Sequence, residues 1–187
     1  MAFVDLDLAG RRAEAVEFAQ CRFRATSLAG AQLTRVRLVN CVLDASDWSN
    51  LRGEGGTLDR TTVSGCRMTG LAWPDGLLRD ASLRECKLDL TNWRFATFDL
   101  VGFTDCNLTG ADFTGADLRG ASFTRCRLTG AQFSQASMVG ASFRGCDLAG
   151  IGGIASWAGA VVHRDDLLEL SYVFARALGV VVAGDDG

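Results

Sequence analysis

Residues 111–150 read ADFTG ADLRG ASFTR CRLTG AQFSQ ASMVG ASFRG CDLAG, blocks of five running from Ala111 to Gly150. The third residue of each block is large and apolar, and the residue two places before it is Ala or Cys. The same register extends back to the start of the chain without a break. From Phe3 to Leu148 there are 30 positions whose numbers end in 3 or 8, and 27 of them hold Leu, Phe, Met or Trp; the exceptions are Ala13, Gly53 and Val63. At 48% hydrophobic, chance would place about 14 apolar residues of any kind on those positions.

Positions ending in 1 or 6 form a second, small column. They carry all seven cysteines (Cys21, Cys41, Cys66, Cys86, Cys106, Cys126 and Cys146) and most of the alanines between Ala111 and Ala141. The other three columns are polar or Gly. A period of five fits neither a helix at 3.6 nor a plain strand at 2. It fits a short extended step followed by a turn. Four such steps close a square coil of about 20 residues, with the large residues inside and the small ones letting the wall close around them. Coils then stack at about 4.8 Å through parallel ladders. No single block buries its own apolar face, so stacking supplies the core.

This pattern (A/C, then D/N, L/F, S/T/R and G) resembles the pentapeptide repeat family over about residues 2–150. The resemblance implies an all-β solenoid, a right-handed quadrilateral parallel β-helix, over residues 1–150. Residues 151–187 then form a last partial coil, a short capping α-helix and a tail. The blocks around Arg11-Arg12-Ala13 depart from the pattern and predict a poorly formed first coil.

Cysteine spacing is a finer ruler. Cys66 to Cys146 recur every 20 residues, as do Cys21 and Cys41, but Cys41 and Cys66 are 25 apart. Between them lies Arg52-Gly53-Glu54-Gly55-Gly56, with Gly on a central position. Five residues looping out near 51–57 would put all seven Cys on one face; a continuous coil would move the ladder one face over. The loop is the favoured reading, and Arg52 and Glu54 on it become candidate contacts. Trp73-Pro74-Asp75-Gly76 reads as a turn and a second irregular site. The cysteines lack CxxC spacing and point inward, so they read as packing, with no metal, disulfide or cofactor. Free buried thiols suit a reducing cytoplasm.

The chain has 187 residues, a formal charge of −3, one His, one Pro and 22 Gly. No stretch nears the roughly 18 apolar residues of a membrane span, and the start lacks the basic and apolar regions of a secretory signal. No P-loop, GxSxG or HExxH occurs, and His163 has no visible partner, so no enzyme is expected.

After Gly150 the pattern stops. Asp166-Leu167-Leu168-Glu169 has capping-box spacing, which predicts a helix from about Asp165 to Leu178 with Gly179 as its stop. Leu167, Leu170, Phe174 and Leu178 form one stripe, suited to cover the last coil. Leu168, Tyr172 and Ala175 form another, which with Val180, Val181 and Val182, read as a short strand, is free for a second copy. This ending looks like the C-terminal cap of quinolone-resistance pentapeptide repeat proteins, the Qnr and MfpA type.

That likeness implies a DNA-mimicking rod binding DNA gyrase or topoisomerase IV, inhibiting it or protecting it from quinolones or other poisons, without contacting nucleic acid itself. Mimicry needs acidic charge where phosphates would lie. Residues 1–150 hold 17 acids and 17 bases, but Asp89, Asp99, Asp105, Asp112 and Asp117 stand against Arg94 alone within 89–117, a local excess. The other reading is an interaction rod for an unrelated protein. Leu90, Phe95 and Leu100 fall where Gly or a polar residue is usual, and should point outward at successive corners.

Overall fold

In each block an extended step ends on a corner residue at positive φ, Gly at many corners and Asp, Asn, Arg, Gln, Glu, Ala, Leu or Phe at the others. In this computed structural model, which describes residues 1–181, the repetition winds the chain into a four-sided parallel β-helix. Successive coils stack twenty residues apart, with Phe3 opposite Phe23, Phe103 opposite Phe123 and Phe123 opposite Phe143. One wall is a nine-stranded sheet running from Ala2–Val4 to Val161–Val162. The other walls are a five-stranded sheet, a two-stranded sheet and rows of isolated bridges. Val161 lies opposite Ser142, so the final turn is one residue short.

The central and small columns meet inside in one buried cluster. Phe rings stack along the axis on two opposite walls: Phe103 on Phe123 and Phe123 on Phe143 at 4.9 Å, and Phe113 on Phe133 at 5.3 Å. Trp157, from the irregular end, stacks on Phe143 at 4.6 Å and closes the column.

Three expectations about the coil are corrected. The first coil is formed: Arg12–Glu14 pairs with Gln32–Thr34 and Glu17–Ala19 with Arg37–Val39. Arg and Ala are tolerated there because the ladder bonds come from the backbone. There is no loop at 51–57. Arg52 bridges Gln32 and Ala72, Leu51 and Gly53 are buried, and Thr57–Asp59 resumes the ladder. Trp73-Pro74-Asp75-Gly76 is likewise a regular turn, with Asp75 at the corner. The two irregularities explain each other: the Trp73 ring lies across the space that Gly53, Gly56 and Gly76 leave open, and a Cβ built on any of the three would strike it.

With no loop, the cysteines fall into two columns on adjacent walls, Cys21 and Cys41 in one and Cys66 to Cys146 in the other, rather than on one face. All seven are free and buried. Within the longer column the Cys126 thiol is pushed up from 9.0 to about 12, first by the neighbouring Cys106 thiol and then by burial. The Cys146 thiol is raised by the same causes, through Cys126. A pKa raised by folding means the folded state holds its proton more tightly. The associated stability is therefore complete below the unfolded value and drains away as pH climbs towards the folded one. The melting temperature should hold up to about pH 9 and fall between about 9 and 12, less steeply in Cys126→Ala. Thermal melts followed by circular dichroism check this; identical slopes in the two proteins would remove the thiols from the explanation.

A 3-10 turn over Arg164–Asp166 leads into the one α-helix among the described residues, α1 (Leu167–Ala177). The acids of the supposed capping box do not cap it. Asp166 Oδ2 accepts from Gly145 N–H at 2.9 Å, and Glu169 Oε2 accepts from Leu148 N–H at 2.9 Å. In every earlier coil such a donor reaches a carbonyl 19 residues on, as Arg125 N–H reaches Arg144 O and Leu128 N–H reaches Asp147 O. The two carboxylates thus replace the missing carbonyls of a further coil. The covering stripe is correspondingly Asp166, Leu170 and Val173. Leu167, Phe174 and Leu178, expected to cover the coil, are exposed. Val180 and Val181 lie in no strand, and Val182 falls outside the described residues.

Candidate protein-interaction site

The five aspartates expected as an acidic patch are dispersed, and four of them are paired with arginines. Asp89 flanks Leu88 on one wall, Asp112 flanks Phe113 on the next, Asp99 and Asp117 sit on a third, and Asp105 is a corner residue. Arg79 meets Asp99 at 3.3 Å, Arg94 meets Asp112 at 3.4 Å and Arg119 meets Asp117 at 2.6 Å. Arg125 grips Asp105 through two bonds of 2.7 Å, and its guanidinium hydrogen bonds hold that carboxyl below the usual range. Asp89 accepts from the Thr69 hydroxyl at 2.9 Å. Adding charge along residues 89–117 misses this, because Arg79 and Arg125 are one coil away from Asp99 and Asp105: close in space, distant in sequence. Exposed pairs of this kind add little stability, but they cancel the field a phosphate mimic needs.

Leu90, Phe95 and Leu100 do form a set. They occupy three successive corners of one coil, each at left-handed φ (56°, 58° and 54°). They are 67%, 54% and 69% exposed. In the next coil the same corners are Gly110, Gly115 and Gly120. Phe95 leans over Gly115 and Leu90 over Gly110, and a Cβ on either glycine would crowd them. The Arg94 guanidinium lies 5.9 Å from the Phe95 ring. Arg52 and Glu54, by contrast, are ordinary outward residues of a regular wall.

The second exposed apolar surface is on α1 and beyond it, where Leu168, Tyr172, Val180 and Val181 are open and Ala175 is half-buried. His163 Nδ1 lies 3.2 Å from Asp165 Oδ2, but no hydroxyl hydrogen-bonds its ring among the described residues. Nor, among those residues, does any cluster of His, Cys, Asp and Glu have the makings of a metal site, and no helix is long and apolar enough to cross a membrane.

The fold and its outer columns define a class: a solenoid whose side chains are spent inside on packing and outside on presenting a surface. The sequence pattern described as the pentapeptide repeat region matches residues 56–133 and 78–152, together more than half of the chain. The chain belongs to the pentapeptide repeat family. Among solved structures it is similar to HetL, a pentapeptide repeat protein involved in heterocyst differentiation regulation from the cyanobacterium Nostoc sp. strain PCC 7120. Identity is 21%, over 86% of this chain and 82% of that one, with a TM-score of 0.51. Full-length QnrB1, a plasmid-mediated fluoroquinolone resistance protein, is 16% identical over 96% and 100% of the two chains, with a TM-score of 0.39. A pentapeptide repeat protein of the Arabidopsis thaliana thylakoid lumen is 23% identical over 70% and 67%, with a TM-score of 0.41. At 21% identity the likeness to HetL concerns the fold alone. No curated protein matches the chain.

Proposed function

We propose that this protein is a non-enzymatic binding rod that engages a protein partner through the coil bearing Leu90, Phe95 and Leu100, and pairs with a second copy through its C-terminal helix. One observation carries the reading: three large apolar side chains stand in water at corners where the neighbouring coil has glycine. A left-handed backbone costs an L-residue roughly 1–2 kcal/mol, and glycine avoids that cost. Residues that oppose both strain and solvation are accounted for by a contact made outside the chain.

The partner we propose is a type II topoisomerase, DNA gyrase or topoisomerase IV, with inhibition or protection from quinolones and other poisons as the consequence. This rests on the likeness of the repeat and of the C-terminal ending to quinolone-resistance members of the family. Because four of the five aspartates are paired with arginines, the contact is apolar rather than an imitation of phosphates. Purified gyrase in a supercoiling assay, with and without a quinolone, tests it. The wild-type protein should change the outcome, and Leu90→Gly/Phe95→Gly/Leu100→Gly should not, although its melting temperature is unchanged or slightly higher. If the wild-type protein neither inhibits nor protects at micromolar concentration, the topoisomerase proposal fails. For the pairing, Leu168→Glu with Tyr172→Glu should convert a dimer to a monomer in light scattering; a wild-type monomer would end that part of the reading.

A further inference from the structure

Between the last coil and α1 lies a cleft of about 500 Å³. Its floor is the backbone from Gly150 to Ile154, and its walls include Gln132, Tyr172, Val173 and Arg176. Such a volume is that of a small-ligand site. The floor is the raw edge of the solenoid. Earlier in the rod the corresponding amides are paired: Gly130 N–H donates to Ala149 O, and Phe133 N–H donates to Gly152 O. One coil later, the N–H groups of Gly150 and Gly153 have no acceptor among the described residues. Their neighbours on the same edge, Gly145 and Leu148, are satisfied by the carboxylates of Asp166 and Glu169.

The edge therefore already shows which chemistry completes it. We propose that this cleft binds a carboxylate with an apolar body, its oxygens accepting from one of the two free amides, Gly150 or Gly153 N–H, beside the Arg176 guanidinium, and its body lying against Ile154, Tyr172 and Val173. Arg176 makes no ion pair among the described residues, so the positive charge on the rim is available to an anion. An amide-lined edge with one cation at its mouth is the arrangement that captures carboxylates in general. Either a free organic acid or the C-terminal carboxylate of a peptide supplies this chemistry. The site is separate from the Leu90–Phe95–Leu100 coil and does not depend on that surface having a partner; it meets the proposed pairing face at Tyr172.

The full-length protein, labelled with nitrogen-15, tests it. Sodium octanoate and octanamide are titrated in parallel, followed by a blocked tetrapeptide ending in leucine, as the free acid and as the carboxamide. Binding should move the Gly150 or the Gly153 amide proton downfield in a saturable way with a carboxylate and not with either amide. Octanoate alone succeeding assigns a free acid; the peptide acid alone assigns a chain terminus. Arg176→Gln, an exposed position, should weaken binding roughly tenfold with the melting temperature unchanged. Equal shifts from acid and amide, no saturation by either acid at millimolar concentration, or unaltered affinity in Arg176→Gln would each overturn the proposal.

Discussion

Trp73→Ala is expected to lower the unfolding free energy by about 3–5 kcal/mol, the largest loss from a single side chain in this rod. Trp73 is fully buried, and its ring fills its own central position and the one that Gly53 vacates in the coil before. Its indole N–H also donates to Gly56 O at 3.2 Å. The walls around it are held by ladders on both sides, so they cannot collapse into the hole. Gly53→Leu alone should also destabilise, by about 1–3 kcal/mol, because the ring already occupies that space. Trp73→Leu combined with Gly53→Leu restores the ordinary large residue at both centres. The pair should be more stable than the sum of the singles implies, with a coupling of about 0.5–3 kcal/mol. Urea unfolding of the wild type, Trp73→Leu, Gly53→Leu and the double variant measures the cycle. If Trp73→Ala costs less than about 1 kcal/mol, or the double variant is merely additive, the exchange of volume between coils is not what keeps residues 51–57 in the wall.

That exchange marks where one-dimensional reading succeeds and where it stops. The period of five, the inward columns and the stacking were legible because each is a rule about one residue and its number. Gly53 was misread because its justification, Trp73, lies one coil away, and a gap filled from the next layer looks in sequence like a broken repeat. The aspartates failed for the same reason. Arg125 compensates Asp105 from 20 residues on, so only the coil geometry reveals the pair. Leu90, Phe95 and Leu100 were legible because each broke the rule of its own column, a comparison that needs no partner. At the C-terminus, Asp166 and Glu169 had the spacing of a helix cap. Sequence could not show that the unsatisfied amides of the solenoid edge would claim them first.

Replacing both of those acids is the other large perturbation. Asp166→Ala with Glu169→Ala leaves the Gly145 and Leu148 amides without acceptors, and each such loss costs about 1–3 kcal/mol when the donor is shielded from water. Asp166 is itself buried, so the space it leaves is not freely wetted. We expect a combined loss of about 3 kcal/mol, with Asp166→Asn, which keeps an acceptor oxygen, losing less. Amide hydrogen exchange locates the effect. Gly145 and Leu148 should exchange fast in the double variant, and Leu170, whose burial depends on α1 staying docked, should follow. The rungs between Phe103 and Phe123 should stay protected, because their ladder partners are intact. Undocking would also bare a parallel edge, so the double variant should self-associate at concentrations where the wild-type state is unchanged. Retained protection at Gly145 and Leu148 would mean that α1 is held by Leu170 and Val173 alone, and that the two carboxylates are bystanders.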